Sequence, residues 1–179
     1  MGKESRPTAF SQLLLKLDEG TMVKTQSEFK DRSNKSLGIF ARKRDRFTVE
    51  YLDRLQSAIL TSPYLAASQL SENFAGTKGF SVVFKRSGIE KVIKHFPEFK
   101  PYLTAALKSK CNAFYLNPLV IEAGGDVKPH VDCSISSYEM EIAIPQLVSV
   151  LYVQVPLDIE GGELVLEGKN IVKVIPPEY

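Results

Sequence analysis

The chain has no tryptophan, two cysteines and two histidines among its 179 residues. Cys111 and Cys133 are too few for a disulfide framework and too irregularly placed for a zinc knuckle, so a reduced, cytoplasmic setting is expected. Long apolar runs are missing too. The opening "MGKESRPTAFSQLLLKLDEG" holds only three consecutive leucines and no small-residue cleavage site, so neither a secretory leader nor a membrane span is expected. Arg6 stands where an N-myristoylation signal needs Ser or Thr. Charge of one sign is scarce as well, and a net +2 does not argue for a polyanionic partner. Internal repeats and low-complexity segments are absent.

What is present fits one medium domain with a single core: apolar residues are 44% and charged residues 25% of the chain. Residues 8–18 read as a short amphipathic helix ending at Gly20. Residues 24–46 carry eight Lys or Arg against three acids. No aromatic ladder accompanies that charge, so a solvated connector is expected there rather than a nucleic-acid surface. Thr48 then caps a helix with Val49, Leu52, Leu55 and Ile59 on one face. Ser62-Pro63 breaks it, and a second helical stretch is expected over residues 64–73.

At Gly79 the texture changes. "GFSVVFKR" reads as a strand, and Ser87 with Glu90 has the spacing of a capping box for a helix through His95. Pro97 opens a further helix, "PEFKPYLTAALKSK". From Asn112 onward the runs "NAFYLNPLVIEA", "LVSVLYVQVP", "GELVLEG" and "NIVKVI" are strand-like, punctuated by glycine turns. The expected organisation is an N-terminal helix and basic connector over 1–47, helical support over 48–111, and a β portion over 112–179.

Within the β portion stands "GGDVKPHVDCS", residues 124–134. In an extended chain residues i and i+2 face the same side, about 7 Å apart. His130 and Asp132 can therefore offer an imidazole and a carboxylate to one cation, while Val131 faces the other way. Pro129 stiffens the approach and Gly124-Gly125 permits a tight one. A further histidine from elsewhere would complete the facial triad of non-haem Fe(II) oxygenases. Alone, an H-x-D triplet is more often a surface or hydrogen-bonded pair than a metal site.

Residues 112–168 as a whole resemble the prolyl 4-hydroxylase-like branch of the Fe(II)- and 2-oxoglutarate-dependent dioxygenase superfamily. That branch runs strand, glycine turn, H-x-D, variable loop, strand and G-G-x-L turn. Here these stand as "FYLNPLVIEAGG", "HVD", "CSISSYEMEIAIP", "QLVSVLYVQV" and "GGEL". The resemblance implies an α+β fold, with N-terminal helices packed on a double-stranded β-helix of the jelly-roll or cupin type. It implies Fe(II) held by His130 and Asp132, 2-oxoglutarate as cosubstrate with O₂, and hydroxylation of a protein prolyl residue or a small molecule; ascorbate is allowed as an accessory reductant. The family's third ligand is a second histidine well after the G-G-x-L turn, followed by an Arg or Lys for the distal carboxylate of 2-oxoglutarate. Neither occurs before Tyr179, so the barrel is expected to be incomplete and the chain as it stands not competent alone.

Relatives often place a tyrosine beside the oxoacid where this chain has Val120, and Tyr152 is the candidate for that role. His95 reads as an ordinary helix-terminal histidine, Lys128 as an exposed strand lysine and Cys133 as a strand residue. The competing expectation is a non-catalytic double-stranded β-helix module that keeps the pair and binds a ligand or partner.

Overall fold

A short apolar run such as residues 13–15 suits a helix or a buried strand equally well, and only the neighbours decide between them. The computed structural model describes residues 8–16 (backbone alone), 41–67, 74–130, 145–168 and 171–178. In chain order its elements are β1 (Thr8–Lys16), α1 (Val49–Leu60), β2 (Ala66–Ala67), β3 (Phe74–Gly79), β4 (Val82–Lys85), α2 (Ile89–His95), α3 (Lys100–Ala106), β5 (Ala113–Val127), β6 (Leu147–Tyr152), β7 (Leu164–Gly168) and β8 (Ile171–Ile175). The helix expected over residues 8–18 is therefore a strand over residues 8–16, and residues 17–18 lie outside the described residues. It lies antiparallel to β5 from Thr8↔Ile121 to Lys16↔Ala113 and to β6 from Phe10↔Tyr152 to Leu15↔Leu147. Two partner strands give its backbone groups hydrogen bonds on both edges, which outweighs a weak helical preference.

The helix expected over residues 64–73 is also corrected where it can be seen. Ala66 and Ala67 form β2 against Gly79 and Lys78, and residues 68–73 lie outside the described residues. Glycines at 76 and 79 disfavour a helix beyond that point, and β3 (Phe74–Gly79) contains both. Helix α1 forms as expected, with the Thr48 hydroxyl accepting from the Tyr51 amide at 3.3 Å. Its buried face is Tyr51, Leu52, Leu55 and Ile59; Val49 is 66% exposed because it falls on the solvent side of the first turn.

The capping box at Ser87 does not form. Residues Arg86–Gly88 are a 3-10 turn, and α2 starts from Gly88 without a side-chain cap. Arg86 sets this turn: its amide donates to the Asn112 carbonyl at 2.6 Å and its Nε to the Cys111 carbonyl at 3.0 Å. The expected helix from Pro97 divides into a 3-10 turn (Pro97–Phe99) and α3, which stops at Ala106 because Leu107 is extended. The Tyr102 amide, an orphan donor of the first turn of α3, is taken by the Tyr51 phenol oxygen at 3.2 Å.

Every strand pair is antiparallel, and all four expected runs after Asn112 are strands. The main sheet runs β2-β3-β5-β1-β6 with β4 also on β5, while β7 and β8 form a separate hairpin. No closed barrel is present among the described residues. The fold is mixed helix and strand, as expected at that coarser level.

Side-chain alternation splits β5 into two faces. Phe114, Leu116 and Val120 pack with Leu55, Ile59, Phe99 and Leu103 of the helical layer, forming the core. Each such fully buried side chain is worth about 1.5–3 kcal/mol. Tyr115, Asn117 and Leu119 lie on the other face, away from the helices, and are also buried. The Tyr102 phenol reaches across the core to donate to the Ser149 carbonyl on β6 at 3.0 Å. Burial raises its pKa above that of an ordinary phenol, with the Ser149 contact opposing the shift.

β3 and β4 are one strand interrupted by Pro118. The pairs Gly79↔Leu119 and Val82↔Leu116 share one register, so Phe80 and Ser81 fall opposite Pro118 and Asn117. Phe80 donates to the Pro118 carbonyl at 3.3 Å, but proline has no N–H to return. Arg42 and Arg44 each contact Glu178 at 2.8 Å, and Arg42 donates to the Pro176 carbonyl at 3.2 Å. The end of the basic segment is thus attached to residues 176–178 rather than running free, and residues 24–40 lie outside the described residues.

Candidate metal site at the end of strand β5

The register of β3 against β5 breaks once. Ala75 faces Asp126 and Thr77 faces Ile121, so the single residue Gly76 stands against residues 122–125. Gly76 has φ +66° and Gly124 φ +76°, the left-handed region that costs other L-residues dearly. A Cβ on Gly125 would come within 2.6 Å of the Gly76 carbonyl oxygen, and one on Gly76 within 2.9 Å of the Gly125 Cα. The two strands approach backbone to backbone here because neither carries a side chain. Such a bulge bends the strand and re-aims the residues beyond it.

His130 lies just beyond the bulge. Pairing resumes at Phe74↔Val127, and Lys128, Pro129 and His130 then leave the sheet. The imidazole is exposed and rests on Phe74, ring centroids 4.9 Å apart at 54°. Its Nδ1 lies 2.8 Å from the Lys128 carbonyl oxygen. A carbonyl can only accept, so Nδ1 donates here, which is the hydrogen bond that a metal-ligating histidine makes with its other ring nitrogen. Phe74 was not anticipated from the sequence, since residues 64–73 read as helix and hid the strand behind them. Gly76 and Gly79, three apart in what would have been its continuation, were the available signal.

Asp132 and Cys133 lie outside the described residues. Val120 belongs to the helix-side core and is 2% exposed. Lys128 is exposed, as expected, and contributes its carbonyl rather than its ammonium to the neighbourhood of His130. His95 is exposed at the end of α2, where its Nε2 meets the Tyr64 hydroxyl at 2.8 Å. It remains a helix-terminal histidine.

Tyr152 is buried near the end of β6 and donates to the Gly162 carbonyl at 3.2 Å, tying β6 to the glycine turn before β7. Burial pushes its pKa up; backbone hydrogen bonding at Leu164 and the Arg42 charge oppose the shift, and Glu163 adds to it. Through Phe10 it is level with Leu119, two strand spacings (about 10 Å) from β5. Tyr152 and His130 are therefore not neighbours in the sheet. Among the described residues no three His, Cys, Asp or Glu side chains converge on one point. No helix there is long and apolar enough to cross a membrane.

Comparison of the chain with protein-family models, with curated proteins and with solved structures returns no significant match.

Proposed function

We propose that this chain carries the iron-binding segment of an Fe(II)- and 2-oxoglutarate-dependent dioxygenase, built on a double-stranded β-helix, that hydroxylates a protein residue or a small molecule. The observation that supports it is His130. It leaves β5 directly after a glycine bulge, stands exposed, and has Nδ1 held by the Lys128 carbonyl. That is how a protein orients an imidazole toward a cation. The residues fit such an ion: His130 supplies a neutral nitrogen, and two positions on in the chain Asp132 supplies a carboxylate oxygen. Phe74 packs against one side of the ring.

Bound there, iron would supply the coupling of 2-oxoglutarate decarboxylation to substrate oxidation by O₂. The protein's own part is to offer an imidazole nitrogen at His130 and, two positions on in the chain, a carboxylate oxygen at Asp132. The test is anaerobic Fe(II) binding by the whole protein, with 2-oxoglutarate consumption measured beside it. His130→Ala and Asp132→Ala should each weaken iron binding by more than about tenfold, since even partners one shell further out cost that much when lost. Val131→Ala should keep the iron and lose stability. Equal iron binding by the parent and the His130 variant would remove the assignment. Iron binding without any 2-oxoglutarate turnover would leave the second reading, a non-catalytic binding module of the same fold.

A further inference from the structure

An open hollow of about 410 Å³ lies between the segment leading into α1 and the outer face of α3. Arg46 and Phe47 line one side. Lys100 with Thr104 and Pro101 with Ala105, each pair one helical turn apart, line the other. The Phe47 ring is held by Tyr51 and Tyr102, with centroids 5.0 and 6.4 Å away, so this part of the lining is formed in advance. The two charges in the lining have one sign, and no acidic side chain accompanies them. Neither Arg46 nor Lys100 has a hydrogen bond or ion pair among the described residues. The neighbouring arginines differ, since Arg42 and Arg44 share Glu178. Two cations beside an apolar surface, without a counter-charge of the protein's own, favour an anion there.

We propose that this hollow binds a small phosphate monoester with a flat apolar body. Such a group carries about −1.5 to −2 charge at neutral pH, which matches both cations, whereas a carboxylate would leave one uncompensated. The planar Arg46 guanidinium can take two phosphate oxygens at once, Lys100 adds a point charge, and the exposed Thr104 hydroxyl is a neutral donor beside them. The Phe47 ring, with Pro101 and Ala105, offers an apolar surface for the flat body. The volume is that of a small-molecule site. The inference goes beyond the iron reading and does not depend on it, since it involves neither His130 nor Asp132.

The experiment titrates the whole protein, free of metal, with phenyl phosphate and follows the amide chemical shifts of Arg46, Phe47, Lys100 and Thr104. Inorganic phosphate has the charge without the ring, and phenol the ring without the charge; they are the controls. Saturable shifts with phenyl phosphate are expected, with each control binding severalfold more weakly. Arg46→Gln and Lys100→Gln, both exposed changes that keep the fold, should each weaken phenyl phosphate by about fivefold, the upper end for an exposed ion pair. Lys43→Gln, which removes an exposed cation outside the lining, should leave the binding unchanged. No saturable shifts in the parent would overturn the proposal. Inorganic phosphate binding as tightly as phenyl phosphate, or equal losses from Lys43→Gln and Arg46→Gln, would also overturn it, by showing only a general attraction of anions to a basic surface.

Discussion

Replacing Gly76 with alanine should cost more than replacing Gly124, although both glycines hold a left-handed backbone. An L-residue in that region costs about 1–2 kcal/mol, and the loss of unfolded-state freedom on going from Gly to Ala returns about 0.4–1 kcal/mol. At Gly124 nothing lies within 4 Å of the added Cβ, so the backbone term is all there is. The net loss there is about 0–1.6 kcal/mol. At Gly76 the Cβ falls 2.9 Å from the Gly125 Cα, which is backbone and cannot rotate away. Moving it adds about 1–3 kcal/mol, the usual range for forcing atoms into filled space, and the total becomes about 1–4.6 kcal/mol. For a chain of this size each kcal/mol lowers the melting temperature by about 2–4 °C. Urea unfolding followed by circular dichroism measures both variants directly. Because Gly125 opposes Gly76, the pair Gly76→Ala and Gly125→Ala should be markedly non-additive, whereas simple addition is expected only of sites that do not touch. A Gly76→Ala protein no less stable than Gly124→Ala would refute the close-approach account of the bulge. A destabilised variant whose Phe74–His130 ring contact survived, seen in the imidazole proton shifts, would refute its role in aiming His130.

Two further outcomes concern the helical layer. Thr48→Ala removes the hydroxyl that accepts from the Tyr51 amide, and should lower stability by about 1 kcal/mol; no change in the urea midpoint would show that water replaces the cap. Tyr51 has its pKa raised to about 12, first by burial and against the hydrogen bond from Tyr102. The folded-state value lies above the unfolded one, so this stability is complete below about pH 10 and is lost as the pH rises toward 12. A Tyr51→Phe variant should be less stable near neutrality, because the Tyr102 amide loses its acceptor, yet show a shallower decline in that alkaline window. Parallel declines in the two proteins would refute the assignment to Tyr51.

The sequence by itself determined α1 and its Thr48 cap, the strand at β4, the helix through His95, and all four strands after Asn112. Most are announced by local chemistry, a hydroxyl before a periodic apolar run or a β-branched run between glycines; the helix through His95 forms without the cap that was to announce it. It also singled out His130 and Asp132 as an i, i+2 pair on a chain expected to be extended; β5 ends at Val127, and Asp132 lies outside the described residues. Tertiary structure decided what depended on partners far along the chain. Residues 8–16 became a strand only because β5 and β6 lie on either side to take their backbone groups. Ser87 lost its capping role because the Cys111 and Asn112 carbonyls, more than twenty residues on, draw Arg86 into a tight turn. Phe74 against His130, and Ser81 against Tyr115, are contacts between residues tens of positions apart that only a strand register can bring together. Gly124-Gly125 could be read as a turn, but its opposite number, Gly76, is legible only once the two backbones are seen to touch.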